Sequence, residues 1–132
     1  MEYEDANIIV TTIVEANELL ADLYAYFRTK SEVREVHRGI DLRKCDAGSL
    51  LELFVEAELN DRLAYCWWLD VRFYQSSWSI DGALLKTEDG DQRKISDIAE
   101  HSGNTVEALI EKLHATCRAI ADSAKQFQFK GE

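Results

Sequence analysis

The stretch LELFVEAELNDRLAYCWWLDVRF, residues 51–73, decides the fold. Apolar residues occupy every second position on both sides of Asn60-Asp61-Arg62, and mostly polar or small residues lie between them. A period of two is typical of β-strands with one buried face, and Asn and Asp favour turns. The stretch therefore predicts two antiparallel strands joined by a tight turn.

The register of this hairpin follows from the need for both apolar sets to face one core. A three-residue loop puts Leu59 opposite Leu63 and Ala57 opposite Tyr65. A two-residue loop would instead turn the two apolar sets to opposite faces. We therefore predict the three-residue loop.

Outward from the hairpin, weaker patterns predict further strands. A third strand is predicted over 78–86, with Phe73 opposite Ile80 across a tight Ser76-Ser77 turn. After the turn Glu88-Asp89-Gly90-Asp91, a short fourth strand is predicted around 93–98. Weak alternation also favours a strand within 33–44.

Two helices flank the strands. The last predicted helix covers about 105–127, with Asn104 as the N-cap and Glu107 completing a capping box, and a polar tail follows from Gln126 to Glu132. The first covers about 5–29, although residues 8–14 are β-branched and are equally typical of a strand. The apolar stripe of this first helix consists of Ile9, Ile13, Ala16, Leu20, Leu23 and Phe27.

These elements predict an α+β fold, with an antiparallel sheet of about four strands between an N-terminal and a C-terminal helix. A length of 132 residues is that of one domain, which we assign to 1–132. An apolar content of 46 % suffices for one ordinary core.

Charge and composition exclude several function classes. The chain carries 25 acidic and 15 basic residues, a net charge of −10, so binding to the phosphates of nucleic acid is not expected. No apolar run is long enough to span a membrane, and the acidic N-terminus does not resemble a targeting peptide. Three cysteines, Cys45, Cys66 and Cys117, form no disulfide pattern, and free thiols indicate a reducing, cytoplasmic location.

No motif for catalysis, a cofactor or a metal is present. His37 and His101 lack partners at metal-ligand spacing, and His114 has only Cys117, three residues on, with no further ligand to join them. Neither a nucleophile elbow nor a phosphate-binding loop occurs. Glu52 and Asp70 lie opposite each other in the predicted register, but Arg72 and solvent damp their repulsion. We therefore expect no enzyme activity, no cofactor and no metal site.

The candidate binding surface is the sheet face that carries the polar alternation. An acidic surface with aromatic anchors is typical of protein-binding sites. Whether a helix covers this face stays open, because chain order does not decide it. The predicted partner-binding residues are Glu52, Phe54, Glu56, Glu58, Trp68, Asp70 and Tyr74.

The stretch YCWWLDVRFY at 65–74, followed by Trp78-Ser79-Ile80, together with the size, acidity and element order, resembles the small acidic immunity proteins of bacterial polymorphic-toxin systems. It is similar also to the TriTu kind, which neutralise ADP-ribosyltransferase toxins. The resemblance implies a single α+β domain that binds a cognate toxin and blocks it. It carries no functional residue over to this chain.

The resulting prediction is an immunity or antitoxin-like protein. It binds a toxin whose surface is basic and covers the active cleft of that toxin. One alternative is a secretion chaperone or adaptor acting as a homodimer. A second alternative is a small enzyme or ligand-binding protein built on the aromatic interior. The oligomeric state is not predicted.

Overall fold

A computed structural model describes residues 3–45 and 48–129 of the chain. The fold is α+β, with a helix at each end of five strands. The elements are α1 (Tyr3–Arg28), β1 (Glu35–Cys45), β2 (Gly48–Asn60), β3 (Leu63–Tyr74), β4 (Trp78–Glu88), β5 (Asp91–Gly103) and α2 (Val106–Gln126).

The five strands form one antiparallel sheet in the order β1-β2-β3-β4-β5, so every strand pairs with its neighbours in sequence. Both helices pack on the same face: α1 contacts β1 and β2, and α2 contacts β4 and β5. We call this the inner face and the opposite one the outer face. The sheet has five strands where about four were predicted, because the weakly alternating 33–44 segment joins it as β1; β5 is also longer than the short strand predicted around 93–98.

The core lies between the helices and the inner face. Trp67 of β3 is 1 % exposed and packs against Phe27 of α1 at 5.0 Å between ring centroids. Its indole Nε1 donates to Ser123 Oγ of α2 at 3.1 Å, so the one polar atom of this side chain is satisfied. Where Gly82 of β4 faces α2, an added Cβ would lie 3.2 Å from Ile120, which shows how closely this helix approaches the sheet.

The predicted polar tail is wrong for the first residues after α2. Phe127 and Phe129 turn back onto the inner face, where their rings lie 5.4 and 6.3 Å from that of Trp67. Phe129 is 9 % exposed. Their alternate spacing in extended backbone directs both rings to the core, and the remainder of the predicted tail, 130–132, lies outside the described residues.

In the β2–β3 hairpin, the apolar side chains face the core as predicted, but the turn differs from the predicted one. Ala57 pairs with Tyr65, as predicted, yet Asn60 rather than Leu59 pairs with Leu63. The turn is the two-residue Asp61-Arg62, and Leu59 is a bulge. The extra residue in the bulge keeps the apolar side chains of both strands on one face. A two-residue loop without a bulge would have turned them to opposite faces.

The next two turns also differ in detail from the prediction. Phe73 pairs with Trp78, not with Ile80, and Tyr74 N donates to Ser77 O at 2.8 Å. The β4–β5 turn lies where it was predicted, and both Asp89 (φ 53°) and Gly90 (φ 88°) have positive φ. Positive φ at both central residues is what a type I′ hairpin turn of two residues requires.

The helix termini differ slightly from the prediction. Residues 8–14 are helical, because they form the first half of α1; the side chain of Ile9 lies outside the described part. The N-cap of α2 is Thr105 instead of Asn104, and its Oγ1 accepts from Ala108 N at 3.2 Å. Neither helix, over the described residues, has the length and apolarity that crossing a membrane requires.

Candidate protein-binding face

The outer face is covered by none of the described elements, because both helices lie on the inner face. This answers the question that chain order left open. Polar and aromatic side chains at alternate positions of β2 and β3 point away from the core, and the partner strands continue their rows across the sheet. The face is therefore available to a partner.

An aromatic pair lies near the centre of the outer face. The rings of Phe54 and Trp68 are opposite each other in the β2–β3 register and stack at 5.6 Å with planes 13° apart. Gly39 of β1 and Ala83 of β4 flank the pair in the same row. A Cβ on Gly39 would come within 2.5 Å of Phe54 Cε1, so the glycine makes room for the ring.

Next to the aromatic pair, carboxylates cross the whole sheet. Each strand contributes one acid, and each acid is the register partner of the next. At about 4.8 Å between strands, this acidic row is about 19 Å long. Its members are Asp41, Glu52, Asp70, Asp81 and Glu100.

Like charges directly opposite each other destabilise a sheet, and only part of this charge is neutralised locally. The Arg43 guanidinium lies 3.4 Å from Asp41 Oδ2 and forms a close ion pair with Glu52 Oε1, a buried oxygen. Toward β4 and β5, Asp81 and Glu100 are exposed. The row thus keeps a negative surface that a cationic partner would complement.

Asp70 joins the acidic row to the aromatic pair. Trp68 Nε1 donates to Asp70 Oδ1 at 2.6 Å, which fixes both side chains. Burial raises the pKa of the Asp70 carboxyl above its ordinary value, and Glu52 and Asp81 raise it further, against the opposing effects of Trp68 and Arg72. Ionised Asp70 is consequently less stable in the folded chain than in water.

All seven residues predicted for partner binding project to the outer face, but they do not form one cluster. Glu58 and Tyr74 lie at opposite ends of the sheet, about ten residues or roughly 33 Å apart. Glu56 stands between Glu58 and the aromatic pair. The compact central group is Glu52, Phe54, Trp68 and Asp70.

Three members of the acidic row were missed by sequence reasoning: Asp41, Asp81 and Glu100. To place the acids of β1 and β5 in the row, one must know the register of these outer strands, and both strands were predicted only weakly. Asp81 could have been predicted, because it follows Ile80 in a predicted strand and a correct β3–β4 turn puts it opposite Asp70.

Glu58 belongs to a separate charged cluster at the β1 edge. His37 Nε2 lies 2.7 Å from Glu58 Oε2, and Arg34 forms a close ion pair with Glu58 Oε1. The hydrogen bond from His37 lowers the pKa of Glu58 below its ordinary value, and Arg34 lowers it further. The hydrogen bond to Glu58 in turn raises the pKa of His37.

Glu35, His37 and Glu58 have ligand atoms within 4.8 Å of one another, and they are the single group of this kind among the described residues. Arg34 occupies Glu58 Oε1, however, and a guanidinium beside a carboxylate opposes cation binding. Ion pairing within the chain therefore accounts for this cluster.

The cysteine thiols are poor nucleophiles. Cys66 lies on the outer face but is 2 % exposed, and burial raises its pKa to about 12, with Glu56 adding to the effect. Burial likewise raises the pKa of Cys117 to about 12. Both are free thiols that stay protonated near neutral pH. The side chain of Cys45 lies outside the described part.

A groove of about 580 Å³ lies between the helices on their solvent side. It is wide open, and its charged lining includes Glu15, Asp22 and His114. His114 Nδ1 is 3.2 Å from Glu15 Oε2, an ion pair across the helices when the imidazole is protonated. An enclosed apolar cavity with a few convergent polar groups would be typical of a small-ligand site, whereas this groove is open to solvent and most of its lining residues are charged.

Comparison of the chain with protein-family models, with curated proteins and with solved structures gave no match. The functional argument therefore depends on the geometry and charge of the outer face.

Proposed function

We propose that this protein binds a cognate bacterial protein toxin through its outer face and blocks the active cleft of that toxin, which is the role of an immunity protein. The observation that carries the proposal is the acidic row beside the aromatic pair on an uncovered sheet face. The resemblance to immunity proteins supplies the class of partner.

The chemistry of the face fits a basic protein surface. Aromatic side chains such as Phe54 and Trp68 bury a large area at small cost in conformational entropy, and they are frequent among residues that dominate binding energy. The acidic row attracts a positive surface and restricts the choice of partner. Toxins that act on nucleotides or nucleic acids need cationic clefts for their substrates, and a negative face complements such a cleft.

The strain within the face also supports binding. Asp70 is half-buried among like charges, an arrangement that costs folding stability. Lysine or arginine side chains of a partner would relieve this repulsion only in the complex. Surfaces retained at a cost to stability are typical of functional sites.

The proposal is tested by co-expressing the tagged protein with the product of the gene beside it in the source genome, and then measuring affinity and growth. We expect a stoichiometric complex and protection from a product that is toxic alone. Asp81→Lys should weaken binding by at least tenfold and remove protection. Glu111→Lys on exposed α2 is the matched control, because it makes the same change in net charge away from the outer face.

Association should also slow steeply as salt is raised, because long-range attraction to the acidic row is screened. An association rate that is unchanged between low and high salt would contradict the electrostatic part of the proposal. Equal binding by the Asp81→Lys and Glu111→Lys variants would exclude the outer face, and the absence of any complex would contradict the function.

A further inference from the structure

The two edges of the sheet differ in how well they are protected against pairing with another strand. In β5, the register shifts twice against β4, so Ile98 and Ile95 are bulged out of the ladder. In β1, all eleven residues pair with β2 without a shift. Bulges are a common way to block an exposed edge, and β1 lacks them. Its outward backbone groups therefore form a regular ladder that no described strand pairs with.

Apolar side chains are exposed beside this regular edge. Ile40 and Leu42 of β1 project to the inner face and remain 43 % and 45 % exposed, and Val10 and Val14 of α1 are 58 % and 54 % exposed. The guanidinium of Arg38 lies 4.4 Å from the ring centroid of Tyr24, so this side of α1 adjoins β1.

The two valines belong to that side of the helix. Val10 and Val14 lie within roughly 80° of Tyr24 around α1, at 3.6 residues per turn. Because the chain turns back between α1 and β1, residues before Tyr24 run alongside residues after Arg38. An apolar strip of two helical and two strand residues thus lies next to the open edge.

The local charge is also unusual for this chain. With Arg38, Arg43 and Lys44 against Glu35 and Asp41, β1 has a formal charge of 3 − 2 = +1, whereas the whole chain has −10. Across the sheet, β5 has two basic and three acidic residues, 2 − 3 = −1. Two copies of so acidic a protein repel each other over most orientations, and β1 is the one strand with a positive formal charge.

The sequence of β1 is complementary to itself in one antiparallel register. Centred on Gly39, this register sets Glu35 opposite Arg43 and His37 opposite Asp41 on the outer face. On the inner face, it sets Val36 opposite Leu42 and Arg38 opposite Ile40. Each pair occurs twice, as two-fold symmetry requires, and both polar pairs join an acid to a base.

We propose that β1 pairs with β1 of a second copy in this register, so that two five-stranded sheets become one continuous sheet of ten strands. The contact covers Ile40 and Leu42 and the adjoining strip of α1. It leaves both outer faces uncovered, so the dimer is compatible with one partner on each copy. The inference is independent of the proposed function.

The test is the molar mass of the purified protein, measured by light scattering and by sedimentation equilibrium over a range of concentrations. We expect wild type to approach twice the chain mass of 15.1 kDa. Ile40→Lys should return the mass to that of one chain, because it puts a second cation directly opposite Arg38 of the other copy. Ile95→Lys is the matched control, since Ile95 is 42 % exposed on the opposite edge and should leave the dimer intact.

A charge swap tests the register itself. Glu35→Arg alone should shift the equilibrium toward monomer, and the double variant Glu35→Arg with Arg43→Glu should restore the dimer by reversing each ion pair. Far-ultraviolet circular dichroism and thermal melting show that each variant is folded. A wild-type protein that stays monomeric at its highest soluble concentration would overturn the proposal. A dimer lost with Ile95→Lys but kept with Ile40→Lys would also overturn it.

Discussion

The inner and outer faces of the sheet use the same strands and even adjacent residues, but they are built for different purposes. Trp67 and Trp68 are neighbours in β3 and point in opposite directions. Trp67 is enclosed by aromatic rings from α1 and from the segment after α2. Trp68 stacks on a single ring, Phe54, and bonds to the carboxylate of Asp70. Burial by covering elements thus decides which tryptophan holds the fold together and which stays on the uncovered face.

The difference between the faces also has an electrostatic side. Among the residues that the structure describes, no acid or base is buried in the core, which lies under the inner face. The outer face concentrates five acids in one row, at a cost that the core must offset. A protein optimised for stability alone would have interrupted the row with lysine.

The largest expected effect comes from exchanging each tryptophan for alanine. Trp67→Ala should lower the free energy of unfolding by about 3–5 kcal/mol, the usual loss for a large aromatic removed from a packed core. Trp68→Ala should cost only about 1 kcal/mol, mainly the lost stacking with Phe54. Urea denaturation followed by circular dichroism measures both. Equal losses would mean that the outer face is a second core and not a free binding surface.

A smaller effect of opposite sign is expected from Asp70→Asn. The pKa of Asp70 is raised above its ordinary 3.8 in the folded chain, so stability is lost as the pH rises through the folded pKa. The amide oxygen can still accept from Trp68, and the charge cost is gone. At pH 7, we expect the variant to be more stable than wild type by up to about 1 kcal/mol, and this gain should shrink toward pH 4.

Asp122→Asn is the control for this substitution, because Asp122 is exposed on α2 and lies outside the acidic row. It should leave the melting temperature unchanged at both pH values. If the proposed function is right, Asp70→Asn also weakens toxin binding while it stabilises the fold. A variant that lost both stability and binding would indicate a structural role for the Asp70 charge.

The central hairpin shows how far the sequence predicts the fold. Period-two alternation sufficed for the facing of Trp67 and Trp68, and it therefore predicted which side chains of the hairpin lie on the outer face. It could not detect the bulge at Leu59, because an extra residue in one strand leaves the alternation on both sides intact. What a bulge changes is the turn, and here a two-residue turn with a bulge does the work of a three-residue loop.

Away from the hairpin, tertiary contacts determine the strand register, the burial of the segment after α2 and the placement of the helices, which local sequence patterns do not. Asp41 and Glu100 entered the acidic row only through the register of the two outer strands. Phe127 and Phe129 follow the last turn of α2, where helical periodicity has already ended, so their burial depends on the space beside Trp67. That both helices share one face follows from packing, which chain order alone does not determine.

The smallest expected effect concerns the ion-pair cluster where the outer face meets β1. The pKa of His37 is raised above its ordinary 6.5, so the stabilisation from its bond to Glu58 is complete below that pH and is lost as the pH rises through the folded pKa. The pKa of Glu58 is lowered below 4.5, so its contribution is present above that pH and is lost on acidification through the folded value. Both contributions coexist between about pH 4.5 and 6.5.

His37→Gln should therefore lower the melting temperature at pH 5.5 but leave it almost unchanged at pH 8.5, with a loss below about 1 kcal/mol because the imidazole is half-exposed. His101→Gln, on β5 and outside the cluster, is the control. A loss that was equal at both pH values would show that His37 acts through packing, and it would remove this electrostatic contrast between the rim of the outer face and its only partly neutralised centre.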